Sequence, residues 1–172
     1  MPWSDKGLRV GRILIVDDSV LIRELLVATL SADGHEPRIA VDGVEAVRSV
    51  RDFRPDLIIL DWVMPRLDGI GCLRCLRRNR ETRDIPVIML AGSVTRELVL
   101  EAVQHGIGGF FSKEDLSLTE LRQRVRDLLA AGTPAATPDE VRVATEGSAP
   151  ASPSAQDPPV AESQGVPAPT VA

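Results

Sequence analysis

LIVDDSVL, residues 14–21, runs three apolar residues straight into two adjacent carboxylates, Asp17 and Asp18, and then turns hydrophobic again. Two like charges side by side repel one another. Taking them out of water is costly unless a positive group lies between them and a partner. Capping accounts for one residue, because Asp18 or Ser19 can start the helix announced by the next apolar residues. It leaves the pair unexplained.

Outward from this stretch, short apolar runs alternate with longer segments of helical period. Strands are predicted over 12–16, 36–41, 56–60, 86–90 and 108–111. Helices are predicted over 20–32, 44–53, 68–79, 95–105 and 116–131, where apolar residues recur three and four apart. Gly34, Gly43, Gly69 and Gly106 stand at the changes of type, as helix ends and starts commonly require. Five strands alternating with five helices predict an α/β domain, a parallel sheet covered on both faces. The first, third and fourth strands are the most continuously apolar and are therefore expected at the centre.

The 172 residues suffice for one domain with a sizeable core. Aromatic residues are only 3%, so that core must be built from Leu, Val, Ile and Ala. Residues 1–132 carry 19 basic and 20 acidic side chains, and residues 133–172 carry 1 and 5. The folded part is thus nearly neutral, which argues against nucleic acid as its direct partner. No run of about 18 apolar residues is present, so no membrane span is expected. The first residues, MPWSDKGLRVGR, lack the apolar core of a signal peptide, and a cytoplasmic protein is expected. Residues 1–11 read as an N-terminal arm and 12–131 as the domain. From 132 to 172 the chain reads as a disordered Ala/Pro/Ser-rich tail: its last 40 residues hold 8 of the 13 prolines and no aromatic residue.

Open parallel sheets place their sites outside the carboxyl ends of the strands. The first strand ends at Asp17 and Asp18, the third at Asp61, the fourth at Ala91, and the fifth near Lys113. Three carboxylates and one ammonium therefore gather at one edge. That pattern suits a hard divalent cation, Mg²⁺, with a phosphoryl group beside it, whose oxygens the cation and the ammonium would balance. Lysine usage sharpens the point. The chain has 18 arginines and only two lysines, Lys6 and Lys113, so a compact point charge is retained here.

The same residues carry a family resemblance. "ILIVDDS", "AVDGVEAV", "PDLIILDWVMPRLDGIGCLRCLR", "PVIML" and "GGFFSK" occur in the order and spacing of the receiver domain of bacterial two-component response regulators. The chain resembles that family over about residues 12–130. The resemblance implies a flavodoxin-like, doubly wound, five-stranded parallel sheet of order 2-1-3-4-5 with five helices. It also implies transfer of a phosphoryl group from a histidine kinase or phosphotransfer protein onto an aspartate. Asp61 matches the phosphoacceptor, Asp18 the direct Mg²⁺ ligand, and Asp17 the carboxylate that helps hold the ion. Val63 takes the position whose backbone carbonyl completes the metal site. Lys113 matches the lysine that pairs with the phosphoryl oxygens, and Phe110 the aromatic that changes rotamer in the switch.

Two positions depart from the pattern. Ala91 stands where the family has Ser or Thr, with Ser93 two residues later. Glu114 follows the lysine in place of a proline in a cis bond, and a trans bond is expected, since cis without proline costs about 3 kcal/mol. Other features are expected to be structural. Cys72 and Cys75 form a lone C-x-x-C inside a helix, away from the helix start that stabilises a thiolate, and zinc would need two more ligands. Arg74, Arg77, Arg78, Arg80 and Arg83 answer the dipole at a helix end. His35 and His105 lie at helix ends. Leu98 and Val99 are equally suited to the core and to an exposed partner patch.

The leading expectation is a stand-alone receiver that is not an enzyme beyond its own phosphotransfer and dephosphorylation. It would meet a downstream protein through its fourth helix, fifth strand and fifth helix. An aspartyl-phosphate phosphatase also uses Asp and Mg²⁺ after an apolar strand, but pairs that Asp with an acid two residues on, where this chain has Val63. A phosphate-independent adaptor is the third reading, motivated by Ala91.

Overall fold

The computed structural model describes residues 9–131, so the expected tail and the first residues of the expected arm lie outside the described residues. The elements alternate as β1 (Arg12–Val16), α1 (Val20–Ala32), β2 (Glu36–Ala40), α2 (Gly43–Phe53), β3 (Leu57–Asp61), α3 (Gly69–Arg78), β4 (Val87–Ala91), α4 (Arg96–Gln104), β5 (Gly109–Ser112) and α5 (Leu118–Ala131). The strands form one parallel sheet of order β2-β1-β3-β4-β5. As the apolar runs predict, β1, β3 and β4 are its central strands.

Strand alternation divides the core into two layers. Ile13, Ile15, Leu57, Ile59, Ile88, Leu90 and Phe111 face Leu26 and Leu30 of α1 and Leu121, Val125, Leu128 and Leu129 of α5. Leu14, Val16, Ile58, Leu60, Met89, Ala91 and Phe110 face α2, α3 and Ala102 of α4. Truncating a central residue such as Ile59, which has no exposed surface, to Ala should cost about 2–5 kcal/mol.

Helix starts follow side-chain chemistry. Ser19, Asp42, Asp68 and Thr95 each accept the backbone N–H three residues on, from Ile22, Glu45, Gly71 and Leu98. Ser19 is thus the cap of α1, and neither Asp17 nor Asp18 is used up by capping.

The observed strands β3, β4 and β5 begin and end one residue later than their apolar runs. The ladder continues to the polar edge because its hydrogen bonds do: Trp62 N–H donates to Leu90 O at 2.7 Å and Lys113 N–H to Ala91 O at 2.7 Å. Packing also begins before Arg12. Gly11 donates its N–H to His35 Nδ1 at 3.2 Å, and its carbonyl accepts Glu36 N–H at 3.0 Å. Among the described residues, no helix is long and apolar enough to cross a membrane and no peptide bond is cis, Lys113–Glu114 included.

Candidate functional site

Parallel register brings the carboxyl ends of β1, β3, β4 and β5 to one edge, with Val16 beside Leu60, Asp61 beside Leu90, and Ala91 beside Ser112. Carboxylate oxygens of Asp17, Asp18 and Asp61 there lie within 4.8 Å of one another. Asp17 and Asp61 are buried and Asp18 is exposed. The Lys113 ammonium lies 2.8 Å from Asp17 Oδ2 and 2.7 Å from Asp61 Oδ2. This is the positive group that the two buried carboxylates, Asp17 and Asp61, require. Three carboxylates against one ammonium leave two formal negative charges, and a donor set of carboxylate oxygens fits a hard divalent cation such as Mg²⁺.

The buried carboxylates are held by short links. Asp17 Oδ1 accepts Ser19 N–H at 2.8 Å, and its backbone carbonyl accepts the Arg23 guanidinium at 2.7 Å. Asp61 Oδ1 accepts Val63 N–H at 3.3 Å. Burial pushes the Asp61 carboxyl above its ordinary value; the Lys113 hydrogen bond opposes this and the Asp17 charge adds to it. For Lys113, burial works against the charged form, but hydrogen bonds to Asp17 and Asp61 outweigh it and raise its pKa. The ammonium therefore stays charged and the Asp61 carboxylate depends on it.

Val63 is on the loop after Asp61 with an exposed side chain, while Ala91 and Phe110 are buried. The Phe110 ring lies against Trp62, centroids 6.0 Å apart and planes at 47°. Ser93 is exposed on the loop after Ala91. Of the α4 residues, Leu98 and Val99 pack on the core, and Leu100 is the large apolar side chain that α4 exposes. Cys72 is buried and Cys75 exposed, both free, and burial pushes the Cys72 thiol up to about 12. Arg77 does more than answer a dipole: its guanidinium donates to the carbonyls of His105, Gly106 and Ile85, joining α3 to the chain before β4 and β5.

Sequence reasoning missed two supports of the site, both in Asp-Gly doublets. A Cβ on Gly69 would lie 2.2 Å from the Asp61 carbonyl oxygen, so α3 starts directly against the end of β3. A Cβ on Gly43 would lie 2.6 Å from Leu67 O, in the loop between β3 and α3. Each doublet is legible as a cap followed by a small residue. The long-range approach that demands the glycine is not.

With this geometry in hand, residues 13–126 match the response regulator receiver domain family. The chain is 37% identical over 128 residues to "Response regulator MprA" of Mycobacterium sp. (strain KMS), covering 74% of this chain and 54% of that protein. It is 39% identical over 124 residues to the "DNA-binding dual master transcriptional regulator RpaA" of Synechocystis sp., covering 69% and 48%. Among solved structures, the receiver domain of sensor histidine kinase PA1611 from Pseudomonas aeruginosa PAO1, which has a magnesium ion coordinated in its active-site cleft, superposes with a TM-score of 0.65. That pair is 26% identical, over 71% of this chain and 99% of that one.

The chain belongs to the response regulator receiver domain family of two-component systems. Receiver domains are phosphorylation-dependent signalling modules rather than conventional enzymes, and the Asp17, Asp18 and Asp61 cluster suits Mg²⁺ and phosphorylation. The chain spans about half the length of the curated relatives it matches.

Proposed function

We propose that this protein accepts a phosphoryl group on Asp61 from a histidine kinase or phosphotransfer protein and answers by changing a protein-interaction surface. The observation that carries the reading is Lys113, whose ammonium touches Asp17 and Asp61 at once inside a three-carboxylate cluster. In the transfer, an Asp61 carboxylate oxygen forms the new O–P bond while the donor histidine's N–P bond breaks and its ring keeps the electron pair. Asp17, Asp18, Asp61 and the Val63 carbonyl would hold Mg²⁺, which supplies charge neutralisation for the phosphoryl oxygens. Lys113 keeps Asp61 ionised for attack and then pairs with a phosphoryl oxygen in place of a carboxylate, moving no proton.

The receiving face for a downstream protein is proposed at α4, β5 and α5, where Leu100 is exposed beside packed Leu98 and Val99. Nearly balanced charge over residues 1–132 favours protein over nucleic acid as the direct partner of this domain. The phosphatase reading finds no acid at Val63, two residues after Asp61.

Labelling with acetyl phosphate and Mg²⁺, followed by intact mass and peptide mapping, tests the reading. One phosphoryl group on Asp61 is expected, and none on Asp61→Asn. Undiminished labelling of that variant would overturn it.

A further inference from the structure

The loop of residues 62–68 carries Val63 and joins the acidic edge to α3. At its centre, Arg66 has φ +68°, a left-handed backbone that non-glycine residues seldom adopt. The other such residue described, Arg54, is the C-cap of α2, where a left-handed end is ordinary. Arg66 is the middle residue of a tight turn rather than a helix end. Its guanidinium forms an ion pair with Asp42, a carboxylate 1% exposed that caps α2 and also accepts Glu45 N–H at 2.9 Å. One residue further, the Leu67 carbonyl oxygen approaches Gly43 so closely that a Cβ there would lie 2.6 Å away. The loop is thus fastened at its tip to the first turn of α2. Its base is closed by Gly69 N–H donating to Trp62 O at 3.0 Å.

We propose that Arg66 is a positioning residue for the cation site: by pairing with Asp42 it fixes loop 62–68, and with it the Val63 carbonyl, where a divalent cation needs an oxygen. The positive φ of Arg66 belongs to a tight turn closed by Leu67 N–H donating to Pro65 O at 2.8 Å, and from that turn the guanidinium reaches Asp42. The inference rests on the cation site of the proposed function and adds the part that holds it in shape. It also makes a counter-intuitive prediction. By charge alone, removing an arginine near an acidic cluster should tighten cation binding. By positioning, it should weaken it.

The test is Mg²⁺ titration of full-length Arg66→Asn, read by Trp62 fluorescence in a Trp3→Phe background. Asn tolerates positive φ and carries no charge, so the backbone is kept while the ion pair is lost. The expected result is an Mg²⁺ dissociation constant raised about tenfold, the low end of what losing an outer support costs a metal site. Removing the partner of a buried carboxylate should also lower the melting temperature in chelator by a few degrees. Unchanged or tighter binding, measured at a temperature where the metal-free variant is fully folded, would overturn the proposal. A wild-type protein unresponsive to Mg²⁺ would remove the cation site itself and this inference with it; a responsive wild type with an unchanged variant removes this inference alone.

Discussion

Gly69→Ala should damage the site without touching any group that does chemistry. The new Cβ would lie 2.2 Å from the Asp61 carbonyl oxygen, 3.0 Å from Trp62 Cα and 3.1 Å from the Asp61 carbonyl carbon. All three are backbone atoms, so no side chain can swing aside. Real Cβ contacts stop near 3.0 Å, so the strand end and the helix start must part by about 0.8 Å. Gly69 N–H is meanwhile tied to Trp62 O, which opposes simple withdrawal of α3. Part of the displacement therefore falls on Asp61, whose carboxylate sits 2.7 Å from Lys113. Adding the full shift takes that contact to the limit of a hydrogen bond. A misplacement of about 1 Å can cost 10²-fold in rate, so a labelling rate about 10–100-fold lower is expected. Overpacking of this kind costs about 1–3 kcal/mol, which leaves the domain folded. The assay is the rate of acetyl phosphate labelling by intact mass, with circular dichroism melting as the fold control. Labelling at the wild-type rate by a folded but less stable variant would refute the reasoning, because the strain would then have been absorbed in α3.

Asp18→Ala should abolish most of the Trp62 fluorescence response to Mg²⁺; a full response would count against Asp18 as a ligand. Ala91→Thr should enlarge the beryllofluoride-induced amide shifts in α4 and β5, since a hydroxyl there adds one bond to a charged acceptor, about 1.5–3 kcal/mol, in the phosphorylated state only. Equal shifts in both proteins would show that position 91 is not the limiting part. His35 is buried and accepts Gly11 N–H on Nδ1, so its neutral form is the folded one; burial lowers its pKa, the Asp33 charge opposes and the Arg126 charge adds. The sign follows: its contribution is present above the ordinary value of 6.5 and is lost as pH falls below it. Melting temperature should therefore drop between about pH 7 and 5. His35→Leu should remove that pH-dependent part and cost about 1–3 kcal/mol at pH 7.5 for the orphaned Gly11 N–H; an unaltered pH profile would refute the assignment.

Most of the fold was legible because its code is local. Apolar runs of four or five residues ending in Asp, Ala or Ser-Lys mark central parallel strands, and the side chains at those ends are the ones the sheet collects. Asp17, Asp18, Asp61 and Lys113 could be read as one site for that reason alone. The apolar runs stop one residue short of Asp61, Ala91 and Ser112, although those residues were legible as the sheet edge; the hydrogen bonds of Trp62 and Lys113 carry the pairing that one residue further. Arg77 was likewise read by its neighbours in sequence. Its role comes from three carbonyls, those of Ile85, His105 and Gly106, that no helical periodicity reveals. The pairing of Arg66 with Asp42 spans 24 residues and two connections, and only the folded chain brings it together.

On the proposed function, chemistry and readout divide at Ala91. The acidic edge is complete without position 91: three carboxylates and Lys113 already meet. What a hydroxyl at 91 would add is a tether between a phosphoryl oxygen and the end of β4. Without it, two routes still lead from the site toward Phe110. One is Trp62, the residue after Asp61, whose ring faces Phe110 at 6.0 Å. The other is Lys113, three residues after Phe110, whose N–H is bonded to the Ala91 carbonyl at 2.7 Å. An ammonium shared between two carboxylates must shift when one of them becomes an acyl phosphate, and its backbone is part of the β4–β5 ladder. The pull on β5 therefore survives the loss of the hydroxyl, while the pull on the loop after β4 does not. Phosphorylation of this protein should accordingly move the end of β5 more than the start of α4. That asymmetry is what the amide shifts of the wild-type protein would record.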